Sequence, residues 1–292
     1  QILKTKAGKT YYSLTLQDKT GTADGKIWEL NNGIANFEPM DYIHCEGMVT
    51  SFQGNLQMNI SRVRISDEGE YDPADYVPCT NKDVGEMFSR ILKYVASVQN
   101  KYLRKILEMY FVENKEFVDA FKKHSAAKSV HHGFMGGLLE HTLSVTDMCQ
   151  YFAEHYPMIH RDLLITAALF HDMGKIQEIS DFPMNDYTDD GQLLGHIYIG
   201  ARCMENAAAQ IPNFPPKLKN ELVHCILAHH GKMEFGSPKV PAIMEAMALH
   251  MADNADAKLQ TLTEVFTQAG DNMGWLGFNR MFESNLRKTS EE

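Results

Sequence analysis

Two kinds of hydrophobic periodicity, one at each end of this 292-residue chain, predict a multidomain protein. A small all-β barrel over residues 1–66 is followed by an all-α domain over residues 81–292. A third observation separates the two. Residues 67–80 carry Asp67, Glu68, Glu70, Asp72, Pro73, Asp75 and Pro78 but no periodic apolar face, and read as a linker.

The β half alternates at period two. Tyr12, Leu14 and Leu16 fall on one face of a strand and Tyr11, Ser13 and Thr15 on the other, before a turn at Asp18-Lys19-Thr20-Gly21. Ile27-Trp28 and Tyr42 to Val49 continue the pattern. After a Gln53-Gly54-Asn55 turn, Leu56, Met58 and Ile60 alternate with Gln57, Asn59 and Ser61. About five short strands with outward aromatics fit a meander or an OB-type barrel. That class binds single strands by stacking bases on aromatics beside a basic groove. Tyr11, Trp28, Phe52, Lys26 and Arg62 are therefore the candidate nucleic-acid-binding residues, with Lys4, Lys6, Lys9 and Arg64 near them. The plainer reading is aromatics in a small core and lysines solvated in turns. The chain lacks an initial Met and a leader, so Gln1 is read as internal, with the first barrel strand cut away.

The α half opens at Thr80 and Asp83, which resemble a capping box, with Phe88, Leu92 and Val95 starting a helical period. Helical periodicity recurs near 81–110, 113–124, 134–155, 161–176, 195–210, 216–229 and 240–268. Ser180 to Gln192 is a polar loop between two of these segments, expected at the mouth of a site. Trp275, Phe278 and Phe282 are expected to pack the C-terminal stretch back on the body.

Composition bounds the chemistry. A hydrophobic content of 44% and a charged content of 23% are ordinary for globular domains. The longest apolar run, before His171, is far short of the roughly 18 residues of a membrane helix, so no membrane role is expected. Five widely spaced cysteines without a C-x-x-C pair indicate a reducing cytoplasm and disfavour zinc-thiolate sites. The net charge of −10 excludes a generally basic surface, but residues 1–66 hold seven Lys/Arg against six Asp/Glu, which leaves room for a local basic groove.

Inward polar residues in the α half carry the functional signal. His141 shares a helical face with Leu138, Leu139, Val145 and Met148, and His171-Asp172 closes the apolar run from Leu163 to Phe170. His196 opens a segment after Gly195. His229 and His230 end another, and Asp253 lies on the face of Ala246, Leu249 and His250. Any one such histidine is more often a satisfied core residue than a ligand. Five histidines and two aspartates in such places cost a core much for no gain, unless they hold cations. Neutral imidazole and carboxylate suit Mn, Fe or Zn.

The order His141, His171-Asp172, Asp253 resembles the HD superfamily of metal-dependent phosphohydrolases, and His196 with His229-His230 matches its binuclear branch. Gly136-Gly137-Leu138-Leu139-Glu140-His141-Thr142, His171-Asp172-Met173-Gly174-Lys175, Leu194-Gly195-His196-Ile197, His229-His230-Gly231 and Asp253-Asn254-Ala255-Asp256-Ala257-Lys258, behind an OB-like half, resemble the YhaM-type 3′-5′ exoribonucleases.

That resemblance implies an HD-type all-α catalytic domain in which His141, His171, Asp172 and Asp253 bind one divalent ion. Asp172 bridges to a second ion held by His196 and His229 or His230. The ions are Mn²⁺ in the first place, with Fe, Zn, Co or Mg as alternatives. It implies a hydrolase that shortens single-stranded RNA, and DNA in second place, from the 3′ end to nucleoside 5′-monophosphates, by attack of a metal-bound hydroxide. Lys175, one turn past His171, is assigned to a phosphate oxygen, against the plainer role of offsetting a helix dipole. His132, with His131, either orients a ligand or protonates the leaving group.

Two other readings stand beside this one. The first is an HD-type hydrolase of nucleotides or other small phosphoesters; its cyclic-dinucleotide version is weakened by the absence of Gly-Tyr-Pro. The second is a single-strand-binding protein with a structural metal site.

Overall fold

The computed structural model describes residues 2–5, 8–18, 21–29, 33–52, 55–72, 75–128 and 132–290, without the side chains of Thr22, Phe52 and Asn55. It divides into two compact units, residues 1–79 with 182–184 and residues 80–181 with 185–292.

The period-two alternation folds as five strands, β1 (Ile2–Lys4), β2 (Thr10–Asp18), β3 (Gly21–Ile27), β4 (Ile43–Phe52) and β5 (Asn55–Ile65). Their order in the sheet is β1-β2-β3-β5-β4. β3 lies parallel to β5, pairing Lys26 with Asn59, while the other pairings are antiparallel. The crossover makes this an OB-like mixed sheet rather than a meander. It is open rather than the closed barrel expected: among the described residues β1 pairs only with β2 and β4 only with β5. Closure needs one strand to bond on both edges, and the three residues of β1 offer few backbone groups for it.

Ile27, Ile60 and Val63 are the buried centre of this unit, with Tyr12, Leu14 and Leu16 packed against them. A bulge then breaks the period. Gly47 faces Ile60 and Glu46 faces Arg62, leaving Ser61 without an opposite number. Strict alternation from Ile60 would turn Arg62 inward. The extra residue turns Ser61 and Arg62 both outward and returns Val63 to the core.

The second unit is helical: α1 (Val84–Ser97), α2 (Lys101–Glu108), a π turn Met109–Glu113, α3 (Lys115–Lys123), α4 (Gly137–His155), α5 (Arg161–Phe170), α6 (Lys175–Glu178), α7 (Asp189–Ala209), α8 (Pro216–Ala228) and α9 (Met244–Gln268). The cap of α1 is Asp83, whose carboxylate accepts from Glu86 N at 2.8 Å; Thr80 instead donates its hydroxyl to Glu140 at 2.5 Å. The segment expected as one helix over 81–110 breaks at Asn100. There the Asp162 carboxylate accepts from Gln99 N and Asn100 N, and Asn100 caps α2 by accepting from Tyr102 N and Leu103 N.

The core is continuous across α1 to α9 and centres on Leu103, Leu138, Leu139, Leu164, Ile165 and Phe170. α5 is buried on every side, so its C-terminal end delivers His171 and Asp172 to the interior. The all-α expectation fails at the C-terminus, where β6 (Trp275–Asn279) and β7 (Ser284–Arg287) form a hairpin. Trp275 and Phe278 are exposed on it rather than packed on the body, and a register irregularity interrupts the pairing between them. No helix among the described residues is long and apolar enough to cross a membrane.

Candidate metal centre

His141 on α4, His171 and Asp172 after α5, and Asp253 on α9 converge. His141 Nε2 lies 3.3 Å from Asp172 Oδ2, 3.2 Å from Asp253 Oδ1 and 3.2 Å from His171 Nε2. His171 Nε2 lies 3.4 Å from Asp172 Oδ2 and 3.9 Å from Asp253 Oδ1. Donors about 2.1 Å from a shared cation stand roughly 3.0 to 3.4 Å apart, whether octahedral or tetrahedral. Most of these separations fall in that span.

The other carboxylate oxygen of Asp172 faces a second donor group. Oδ1 is 3.6 Å from both His196 Nε2 and His229 Nε2. His196, His229 and His230 each offer a ring nitrogen, all within 4.8 Å of one another. Asp172 Oδ1, His196 Nε2 and His229 Nε2 are buried with no hydrogen-bond partner. Orphaned polar atoms aimed at one point are costly unless a ligand meets them. The donor set thus fits divalent-cation binding, with Asp172 turned toward both groups of donors and His229 and His230 each offering a ring nitrogen to the second.

Each ring is held through its Nδ1, and those of His141, His171, His196 and His229 turn Nε2 toward Asp172. The Nδ1–H groups donate to Asp256 Oδ2 from His141 at 2.7 Å, to Ala168 O from His171 at 2.8 Å and to Glu178 Oε1 from His196 at 2.9 Å. His229 donates likewise to Ile226 O at 2.7 Å and His230 to Phe235 O at 2.8 Å. Acceptor-only partners require the proton on Nδ1, which leaves Nε2 a lone pair for a cation. Burial lowers the pKa of His229 and His230, which keeps them in the neutral, ligating form. Burial opposes charge on Asp172 as well, yet Lys175 and His171 hold its carboxyl well below the usual range.

Two glycines permit the geometry. A Cβ on Gly174 would lie 2.1 Å from the His196 carbonyl oxygen, so only glycine lets the turn after Asp172 approach α7. Gly195, at φ 72° and ψ 152°, breaks α7. The break frees the His196 N–H to donate to Glu178 Oε1 at 2.9 Å, beside the ring contact.

Lys175 sits with Nζ 2.7 Å from Asp172 Oδ2. Burial pulls its pKa down, but Asp172 more than offsets this and keeps it charged. His132 donates from Nε2 to Asp256 Oδ2 at 2.9 Å, so the structure places it behind His141. His131 lies outside the described residues. Sequence reasoning missed Asp256 and Glu178. Asp256 accepts from His141, His132 and Ser144 at once. The i,i+3 spacing from Asp253 puts it on the same face of α9 and was the available signal. Glu178 had none, since it meets His196 only because α6 turns back on α7.

On the sheet, Tyr11 and Trp28 stack with centroids 4.6 Å apart. Beside them Lys26 Nζ donates to Ser13 Oγ at 2.7 Å and Trp28 Nε1 to Asn59 Oδ1 at 2.9 Å, so these residues share one polar face. Arg62 is exposed, 3.6 Å from Glu46. The Phe52 side chain lies outside the described residues.

The HD domain family matches residues 138–258. The chain is 32% identical to the 3′-5′ exoribonuclease YhaM of Geobacillus sp. (strain WCH70), over 87% of its own length and 78% of the relative's. It is 32% identical to the YhaM exoribonuclease of Bacillus subtilis (strain 168), covering 87% and 81%. Identity to the protein of that name from Listeria innocua is 33%, covering 88% and 82%. No solved structure matches the chain.

Proposed function

The chain belongs to the YhaM 3′-5′ exoribonuclease family, and from that membership and its donor set we propose that it is a metal-dependent phosphodiesterase removing nucleotides from the 3′ end of single-stranded RNA. Nucleoside 5′-monophosphates are the product and Mn²⁺ the working ion. The observation that carries the reading is Asp172, which turns Oδ2 to one donor group and Oδ1 to the other. Two divalent ions held by these donors would supply Lewis acidity, a nucleophile at neutral pH and neutralisation of the leaving oxygen.

The protein's own groups do the rest. Asp256 and Glu178 hold His141 and His196 in the ligating tautomer, and His132 steadies Asp256. Lys175, charged and buried beside Asp172, is placed to meet a non-bridging phosphate oxygen. The tethered sheet, through Tyr11, Trp28 and Lys26, raises the local concentration of the strand. A hydrolase of free nucleotides has no use for such a surface. Free thiols at Cys45, Cys149, Cys203 and Cys225 fit work in the reducing cytoplasm.

The test is to incubate 5′-labelled single-stranded RNA with the protein and either Mn²⁺ or a chelator. A ladder shortening from the 3′ end with Mn²⁺ and no cleavage with chelator are expected. Turnover of mononucleotides alone would sink the reading.

A further inference from the structure

The open side of the donor site can be read from the burial of its imidazoles. His141, His171 and His229 are almost fully buried, whereas His196 and His230 are partly exposed, so among the imidazoles these two lie nearest solvent. Exposed apolar residues neighbour both in sequence, Leu193 and Tyr198 around His196, Met233 and Phe235 after His230. An apolar side chain left exposed beside a polar site offers a surface that receives something apolar. A phosphate ester presents nothing of the kind; a nucleobase does.

Phe235 is the one among these that is built into the donor set. Its carbonyl accepts the His230 Nδ1–H at 2.8 Å, which fixes that ring. Its amide donates to Lys232 O at 3.1 Å, and the buried Ser237 anchors the turn by donating from N to Lys232 O and from Oγ to Leu227 O. The aromatic ring nevertheless stays 56% exposed, with Lys232 Nζ 5.2 Å over it. One residue thus joins a backbone contact to the His230 ring with an exposed aromatic side chain.

We propose that the Phe235 ring is the platform on which a nucleobase adjoining the scissile phosphate stacks, setting the strand end in register with the donor site. The proposal rests on the exonuclease reading above. Lys232 is also paired with Glu234 at 3.1 Å, so the contact offered is the ring rather than a net charge, and its loss is insensitive to salt.

The experiment is steady-state kinetics on 5′-labelled single-stranded RNA in three forms: intact, abasic at the 3′-terminal nucleotide, and abasic at the penultimate one. Wild type, Phe235→Ala and Phe235→Trp are compared with Mn²⁺. For wild type, KM rises about tenfold on one of the two abasic strands, as loss of one stacked base implies. Phe235→Ala shows the same rise on intact RNA, with kcat nearly unchanged, no further loss on that abasic strand, and no dependence of the effect on salt. Phe235→Trp restores the wild-type KM. Equal losses by Phe235→Ala on intact and both abasic strands, or a fall in kcat and Mn²⁺ affinity instead of a rise in KM, would overturn the proposal, since the residue then only supports His230. Failure of wild type to cleave intact RNA would remove the exonuclease reading itself and the proposal with it.

Discussion

In the helical unit most of the polar groups that matter are buried and held by a second contact; on the sheet they are half-buried or exposed and held mainly by one another. His141 is buried with Nδ1 on Asp256, and His171 and His229 are equally enclosed with Nδ1 on backbone carbonyls. Trp28, by contrast, is held by a stack on Tyr11 and one bond to Asn59, with much of its surface in solvent. The difference teaches what each region tolerates. A buried donor cluster is a unit in which one deletion leaves other groups unmet. An exposed stacking face is close to a sum of separable contacts.

The largest effect should come from Asp172→Ala, which removes the two oxygens that face the donor groups and leaves Lys175 without its partner. Cleavage of labelled RNA should fall by about a thousandfold or more, several kcal/mol of transition-state stabilisation. RNA binding by gel shift should persist. A variant that keeps near-full turnover would break the comparison at its strongest point.

Asp256→Asn should come next. It keeps the shape but weakens the acceptor for His141 and His132, and activity or Mn²⁺ affinity should drop roughly 10- to 100-fold. A titration with added Mn²⁺ should recover much of the loss; no recovery would mean that Asp256 acts on the chemistry rather than on a ligand.

Trp28→Ala should cost about 1 to 3 kcal/mol in single-strand affinity, measured by fluorescence anisotropy. Hydrolysis of bis(p-nitrophenyl) phosphate should stay at the wild-type rate. Loss of both together would show that the sheet and the helical unit are not separable. Smallest of all should be Arg62→Ala, whose guanidinium is already 3.6 Å from Glu46. Its salt dependence of RNA binding should flatten by less than one unit of slope, about what one phosphate contact contributes.

Much of the helical half was legible in the sequence because its candidate ligands sit at fixed offsets in apolar periodic segments. His141 in the Leu138–Val145 pattern and His171-Asp172 after the run to Phe170 both proved buried. Less of the sheet was readable. Period-two counting put Tyr11 and Tyr12 on opposite faces, but it could not see the Ser61 bulge that turns Arg62 outward, nor that β1 stops short of closing a barrel. The C-terminal hairpin was hidden because Trp275 and Phe278 resemble core residues in any one-dimensional count.

By itself, then, the sequence determined which residues point inward and that their chemistry suits divalent cations, because helical periodicity and the cost of buried charge are local properties. Only the tertiary structure decided that Asp172 presents a different oxygen to each donor group, that Asp256 and Glu178 meet the His141 and His196 rings, and that the Phe235 carbonyl meets His230 while its side chain stays exposed. Those relations depend on how α4, α6, α7, α8 and α9 meet across the core. No spacing along the chain encodes a distance between residues brought together from separate helices.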